Sequence, residues 1–227
     1  MSLLLLLASA TVLPADDGPT KPVPLRYVRS ADGKTVTECE VTTTRDGDDT
    51  VIVSRTQMPD ETMTLTLRHD KNGQLLSAEA VRDGGKMKKT STLTVQGKAA
   101  QLKQGNVTEF LKSGGEAIVT TAPDWSDVFQ LVRRYDAKKG GEQQFPGVWI
   151  HPDNPPQELT FTIANDDVET VKVKDKDVRL GRYKVQLRSG EYVVWADAAK
   201  RVVKLSAVGP NAKPVVLEGF EELLTAP

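Results

Sequence analysis

What this chain lacks narrows it first. Its 227 residues hold one Cys and two His. A lone thiol forms no internal disulfide, and with two imidazoles it falls short of a thiolate–imidazole zinc site. An excess of either charge is missing too: 30 Lys+Arg stand against 31 Asp+Glu, a formal net charge of -1. A protein that grips a phosphate backbone needs a basic excess or a clustered basic face, so nucleic acid is not an expected partner. Aromatic residues make up 5% of the chain, too few for a platform that stacks single-stranded bases. No apolar run reaches the roughly 20 residues that a bilayer-spanning helix needs. A Gly-x-Ser-x-Gly nucleophile elbow is absent as well, which removes the α/β-hydrolase route to acyl transfer.

The densest apolar stretch is Leu3–Leu7, followed by Ala8-Ser9-Ala10 and a second small-residue end at Pro14-Ala15. That length and ending match a secretory signal, although no Lys or Arg precedes the leucines. A buried N-terminal strand or helix is the alternative. Residues 1–15 are therefore expected to be a signal peptide, and the protein to be exported to a periplasm or outside the cell. The only Cys is Cys39, far from the apolar run, which excludes lipidation next to it. Residues 16–24 (DDGPTKPVP) read as a flexible, extended leader because Pro and Gly block regular structure.

What is present is β-branched: Val occurs 26 times and Thr 22 times, residues that suit a pleated, half-buried surface. In Glu61–Asp70, Met63, Leu65 and Leu67 alternate with Thr62, Thr64 and Thr66, giving one apolar and one wet face. Similar runs lie at Val36–Thr43, Thr50–Thr56, Gln74–Arg82, Lys86–Val95, Leu159–Ile163, Thr170–Val173, Val178–Arg188, Tyr192–Ala196 and Arg201–Ala207. Between them, Asp32-Gly33, Asp46-Gly47, Asn72-Gly73, Asp83-Gly84-Gly85 and Ser189-Gly190 are tight-turn signals. Short turns between neighbouring strands predict an antiparallel meander and no βαβ units. The stretch His151–Pro156 reads as a rigid surface loop.

One segment breaks the pattern. Trp125, Val128, Phe129, Val132 and Tyr135 fall on one stripe of an amphipathic helix near 124–136. Asp124 suits its N-cap, Asp127 its positive dipole end, Arg133 and Arg134 its other end, and Lys139-Gly140-Gly141 its termination. This stripe is expected to lie on the sheet as the core plug. A second short helix is expected at Gly219–Leu224. Residues 25–227 then form a single β-rich domain.

The order of elements, hairpins first, then an Asp-capped helix, then Leu180–Val185, Tyr192–Asp197 and Lys200–Leu205, carries a resemblance. The closing hairpin, with its Trp195-Ala196-Asp197 turn, resembles that of uncharacterised bacterial periplasmic domains of the lipoprotein-carrier (Lol-like) superfold. Similar modules also stand ahead of secreted α/β-hydrolases. The resemblance implies a strongly curved antiparallel sheet, a half-barrel, wrapping one helix. It also implies a concave apolar side of the kind that holds acyl chains.

The chemistry-bearing residues admit plainer readings. His69, in register with Met63, Leu65 and Leu67, reads as a strand-end imidazole, and His151 sits beside Asp153 with no oriented partner evident. Cys39 reads as a buried thiol with nothing nearby to activate it. Asp46-Gly47-Asp48-Asp49 lacks the twelve-residue calcium spacing and reads as a hairpin tip. Glu38 and Glu40 share a strand face, where pairing with Lys or Arg is a plainer role than glycoside hydrolysis. Lys86-Met87-Lys88-Lys89 reads as a solvated edge. No catalytic residue, metal ligand or cofactor is assigned. If a ligand cavity exists it lies between helix and sheet, lined by Leu65, Leu67, Trp125, Phe129, Val132 and Trp195. The expected function is an exported, non-enzymatic domain binding a hydrophobic or lipid-like molecule or an envelope protein. The alternatives are an accessory module with a filled core, acting with a secreted hydrolase or envelope partner, and, behind both, a hydrolase.

Overall fold

The computed structural model describes residues 22–224, apart from positions 33, 86, 122–123 and 210–211. The expected signal segment, residues 1–15, and all of the leader but Pro22, Val23 and Pro24 lie outside the described residues, as do Gly33 and Lys86.

The chain is mainly β. Eight strands come first: β1 (Leu25–Ala31), β2 (Lys34–Asp46), β3 (Asp49–Gln57), β4 (Thr62–His69), β5 (Leu75–Asp83), β6 (Lys88–Gln96), β7 (Ala99–Gln104) and β8 (Val107–Leu111). A short strand, β9 (Ile118–Thr120), leads to the helix α1 (Ser126–Arg134). Then follow β10 (Glu142–His151), β11 (Asn154–Val173), β12 (Lys176–Leu187), β13 (Gly190–Ala196), β14 (Val202–Ala207), β15 (Val215–Leu217) and a 3-10 turn, Glu221–Leu224. All the strands join one 15-stranded sheet, ordered β8 to β1, then β15 back to β9. Every pairing is antiparallel except β9 with β10, which is parallel. That one parallel pair is joined through α1, the crossover that a purely antiparallel meander lacks.

The length of one connection sets the shape. Fifteen strands about 4.8 Å apart would make a flat sheet about 67 Å wide. Its two edge strands, β8 and β9, are joined by residues 112–117 alone, which reach about 25 Å at full extension. The sheet must curl until its edges nearly meet, and it does so without closing into a barrel. The joining segment is held by Leu75 N–H donating to the Gly115 carbonyl at 2.8 Å. The two arms are also tied together by Ser113 N–H to Glu158 Oε1 at 2.7 Å and Gln104 Nε2 to the His151 carbonyl at 2.9 Å. Arg82 and Lys89 complete the tie, both gripping Asp153.

Curling produces two apolar interiors. Leu65, Leu75, Leu93 and Leu102 of one arm face Val119, Val148 and Ile150 of the other. Val128, Leu131, Val132 and Tyr135 of α1 pack with Tyr27, Cys39, Phe161, Ile163 and Val194. A third cluster, with Val28, Leu180, Trp195, Val203 and Val216, lies on the opposite face of the central strands and is covered by Leu223 of the 3-10 turn.

The details depart from the sequence pattern where local rules were overruled. The runs Leu159–Ile163 and Thr170–Val173 belong to one 20-residue strand, β11, with a register irregularity between Asn165 and Asp167. The Pro-rich stretch after His151 forms only a two-residue turn, and Asn154–Pro156 already belong to β11. Cys39 and Val41 are buried but Thr37 is not, because the β1–β2 register shifts between Tyr27 and Val28, leaving Glu38 of β2 as an extra residue that breaks the alternation there. Helix α1 is shorter than 124–136: Trp125 stands at its N-cap without a side-chain hydrogen bond, and Gly140 and Gly141 serve the turn into β10.

Glycine at 114 is required by space. A Cβ there would lie 2.5 Å from the Lys98 carbonyl carbon, whereas one at Gly84 would meet nothing closer than 3.9 Å. Gly114→Ala is expected to lower unfolding stability by about 1–3 kcal/mol, and Gly84→Ala to stay within about 0.5 kcal/mol. Urea unfolding of both variants checks the difference.

Candidate functional site

The residues expected around a helix–sheet cavity do not form one site. Leu67 and Phe129 share a recess with Leu25, Tyr27 and Ile52, but its volume is about 30 Å³. Phe129 stacks on Tyr27 with ring centroids 4.8 Å apart. Leu65 and Val132 are fully buried, and Val132 lines no described cavity. Trp195 lies on the opposite sheet face from its neighbour Val194, as strand alternation requires. Its Nε1 donates to Glu169 Oε2 at 2.7 Å, and the Lys204 ammonium sits 4.8 Å from its ring centre. Trp125 alone of the six reaches a roomier cavity.

That cavity, about 250 Å³, opens beside the N-terminal end of α1. Five pieces of the fold build it. Strand β9 delivers Thr120 and, just beyond, Thr121; the start of α1 delivers Asp124, Trp125 and Asp127; β10 delivers Trp149, the β12–β13 turn Arg188 and Ser189, and β13 Tyr192. The rings brace each other. Trp125 meets Tyr192 edge-on at 5.4 Å, Trp149 stacks on His151 at 5.5 Å, and the Arg188 guanidinium lies 4.3 Å over Trp149.

Two carboxylates are buried in its wall. Asp124 Oδ1 accepts from Ser54 Oγ at 2.5 Å, from Trp125 N–H at 2.7 Å and from Ser126 N–H at 3.1 Å. It thus satisfies amides at the start of α1 from one residue before the N-cap position. Cys39 Sγ lies 3.2 Å from the same Ser54 hydroxyl, and burial, with the Asp124 charge, pushes that thiol up to about 12. Asp127 Oδ2 accepts from Thr120 Oγ1 at 2.8 Å and its Oδ1 from Val128 N–H at 2.7 Å. Burial raises both acids, and the charge of Asp124 adds to the rise of Asp127, which reaches about 7. Two buried acids three residues apart resist double ionisation, so the pair holds a proton near neutral pH.

Several polar atoms of the lining are left over. Trp149 Nε1, Thr121 Oγ1 and Asp124 Oδ2 are buried without a hydrogen-bond partner among the described residues. Each such group costs about 1–3 kcal/mol unless water or a ligand completes it.

Other residues singled out by the sequence are committed elsewhere. Glu40 pairs with Arg26 at 2.9 Å and Glu38 with Arg29. Arg68 bridges Asp46 and, at 2.7 Å, Asp49. His151 Nδ1 accepts from Asp153 N–H at 3.2 Å. Among the described residues no group of three or more His, Cys, Asp or Glu is arranged to hold a metal ion, and no helix is long and apolar enough to cross a membrane.

The single curled sheet with an internal helix is a fold seen before. It is similar to the crystal structure of a DUF1089 family protein from Pseudomonas aeruginosa, with a TM-score of 0.50 over 77% of this chain and 92% of that one, at 14% identity. The likeness is one of fold. No family model and no curated protein matches the sequence.

The acid pair makes stability depend on pH in a stated direction. A carboxyl raised to about 7 binds its proton more tightly in the folded chain than in the unfolded one. Its contribution is complete below the ordinary aspartate value near 3.8 and is lost as pH rises through about 7. Asp127→Asn is expected to flatten the fall in unfolding free energy between these limits, measured by denaturant titration across that range.

Proposed function

We propose that this chain is an exported, non-enzymatic binding domain whose ligand is a small, hydroxyl-rich ring molecule held beside the start of α1. The observation that carries this reading is the set of unpartnered groups on one cavity's lining. Trp149 Nε1 only donates, Asp124 Oδ2 accepts when ionised, and Thr121 Oγ1 does both. A ligand rich in hydroxyls satisfies all three, whereas an ammonium could not serve the indole N–H. The rings of Trp125, Trp149 and Tyr192 supply flat apolar walls against which C–H faces pack. The donors from Ser54, Trp125 and Ser126 tie Asp124 Oδ1 to the helix start, which gives that carboxylate a structural task and supports binding over turnover. Export rests on Leu3–Leu7 and the small residues after them.

An acyl chain has less support as the ligand. The recess between Leu67 and Phe129, about 30 Å³, has room for about one water and not for a run of methylenes. That filled space favours, as the second reading, an accessory module that works through its surface. Phe110, 78% exposed on the edge strand β8, supports it.

Titration with a panel of mono- and disaccharides, followed by tryptophan fluorescence and by two-dimensional amide NMR, tests the proposal. At least one saccharide is expected to bind saturably, and Trp149→Phe, which keeps a ring but removes the N–H, to weaken it about tenfold. Absence of any saturable shift across the panel, or unchanged affinity in Trp149→Phe, overturns the reading.

A further inference from the structure

The other end of α1 carries a second pocket of opposite character. It has a volume of about 290 Å³ and lies between the C-terminal half of the helix and the β4–β5 turn. Three cations line it: Lys71 from the turn, and Arg133 and Arg134 from the helix. Among the described residues neither Lys71 nor Arg133 has an ion-pair partner. The one carboxylate in the lining, Asp70, is turned into its own loop. Its Oδ1 accepts from Asn72 N–H at 2.8 Å and Gln74 N–H at 2.9 Å, and its Oδ2 from Asn72 Nδ2 at 3.4 Å. The pocket is left with a positive excess.

The plain account of basic residues at a helix C-terminus is that they answer the exposed carbonyls. Here another residue does that. Lys200 Nζ donates to the Arg133 carbonyl at 3.1 Å and to the Tyr135 carbonyl at 2.6 Å. Arg134 reaches back to the Glu116 carbonyl at 2.5 Å, and Arg133 is left over. The pocket wall also holds His69, only 7% exposed, whose Nδ1 is buried without a partner among the described residues. Burial, and after it the charges of Arg134 and Arg133, lower this imidazole to about 4, a sign that both guanidinium groups act on the same space.

We infer that this pocket is an oxyanion site, in which Arg133, Arg134 and Lys71 hold a phosphate-like group against His69. Guanidinium groups suit such oxygens because their donors form a planar fork. Ile52, Gln130 and Arg133 are shared with the small apolar recess behind, and since that recess is nearly filled, the anionic group itself is what the pocket recognises. The site stands apart from the cavity at the other end of α1, and its ligand need not be the same molecule.

The test follows the His69 ring signals by NMR in the full chain while inorganic phosphate is added at constant ionic strength set with sodium chloride. Phosphate in the pocket offsets the two guanidinium charges, so the His69 titration midpoint is expected to rise by about one unit. Arg133→Gln and Lys71→Gln, both at side chains with no ion-pair partner among the described residues, are each expected to weaken phosphate about tenfold. A parallel arm uses vesicles of phosphatidylglycerol, with phosphatidylcholine as control, and separates a free anion from a lipid head group. A response to phosphate assigns the free anion, and a response to phosphatidylglycerol vesicles alone assigns the head group. If neither moves His69 beyond the chloride control, or if both variants respond as the parent does, the inference is overturned.

Discussion

The short bridge between the two edges of the sheet is the constraint on which the rest depends. Residues 112–117 must connect strands that sit at opposite ends of a 15-strand order. The chain solves this by curling, and curling gives a sheet with an inside. The bridge itself has little freedom. Gly114 lies against the Lys98 backbone with no room for a Cβ, and the Gly115 carbonyl is taken by Leu75. Across the gap, Asp153 gathers Arg82 and Lys89. These exposed ion pairs contribute little each, so the closure rests chiefly on the Leu-rich contact between β4–β8 and β9–β10.

A helix enclosed on this scale keeps little wet face: Arg133 is exposed and Arg134 half-buried at its C-terminal end, but the polar residues before them are not. Ser126, Asp127 and Gln130 are as buried as Val128 and Leu131. Their polar atoms therefore need partners within the protein, and most find them: Asp127 in Thr120, and the Gln130 amide in the Val119 carbonyl at 2.9 Å. Of the buried polar atoms left without a partner among the described residues, Asp124 Oδ2, Thr121 Oγ1 and Trp149 Nε1 lie at one end of α1 and His69 Nδ1 at the other. At the first end they meet aromatic rings and a pair of acids; at the second they meet arginines. The polarity of the two pockets follows the sense of the helix dipole, and the enclosure makes each of them concave.

Much of this architecture could be read from residues alone. The Met63–Leu67 alternation marked β4, the Gly-containing turns marked the hairpins, and the stripe Val128–Val132–Tyr135 marked a helix facing the core. The runs of apolar and β-branched residues were visible because burial on one side of a strand repeats every second residue. What was not legible came from long-range geometry. Asp124 and Asp127 satisfy every local rule for a helix start, so nothing local signals that they are buried. Trp149 and Tyr192 lie far from them in sequence and reach the same cavity only because β10 and β13 return to α1. Trp195, by contrast, stands one residue from a core position and so faces away. The spacing of Ser126, Asp127 and Gln130 opposite an apolar stripe reads as a solvated face unless the far arm of the sheet is known to cover it.

The most direct measurement of this account is native-state hydrogen exchange at the amides of α1. If the curled sheet locks the helix inside, Leu131, Val132 and Tyr135 exchange only through global unfolding, with the full denaturant dependence of the whole chain. Exchange at these amides through a local opening that is insensitive to denaturant, while β4 and β12 remain protected, would contradict it.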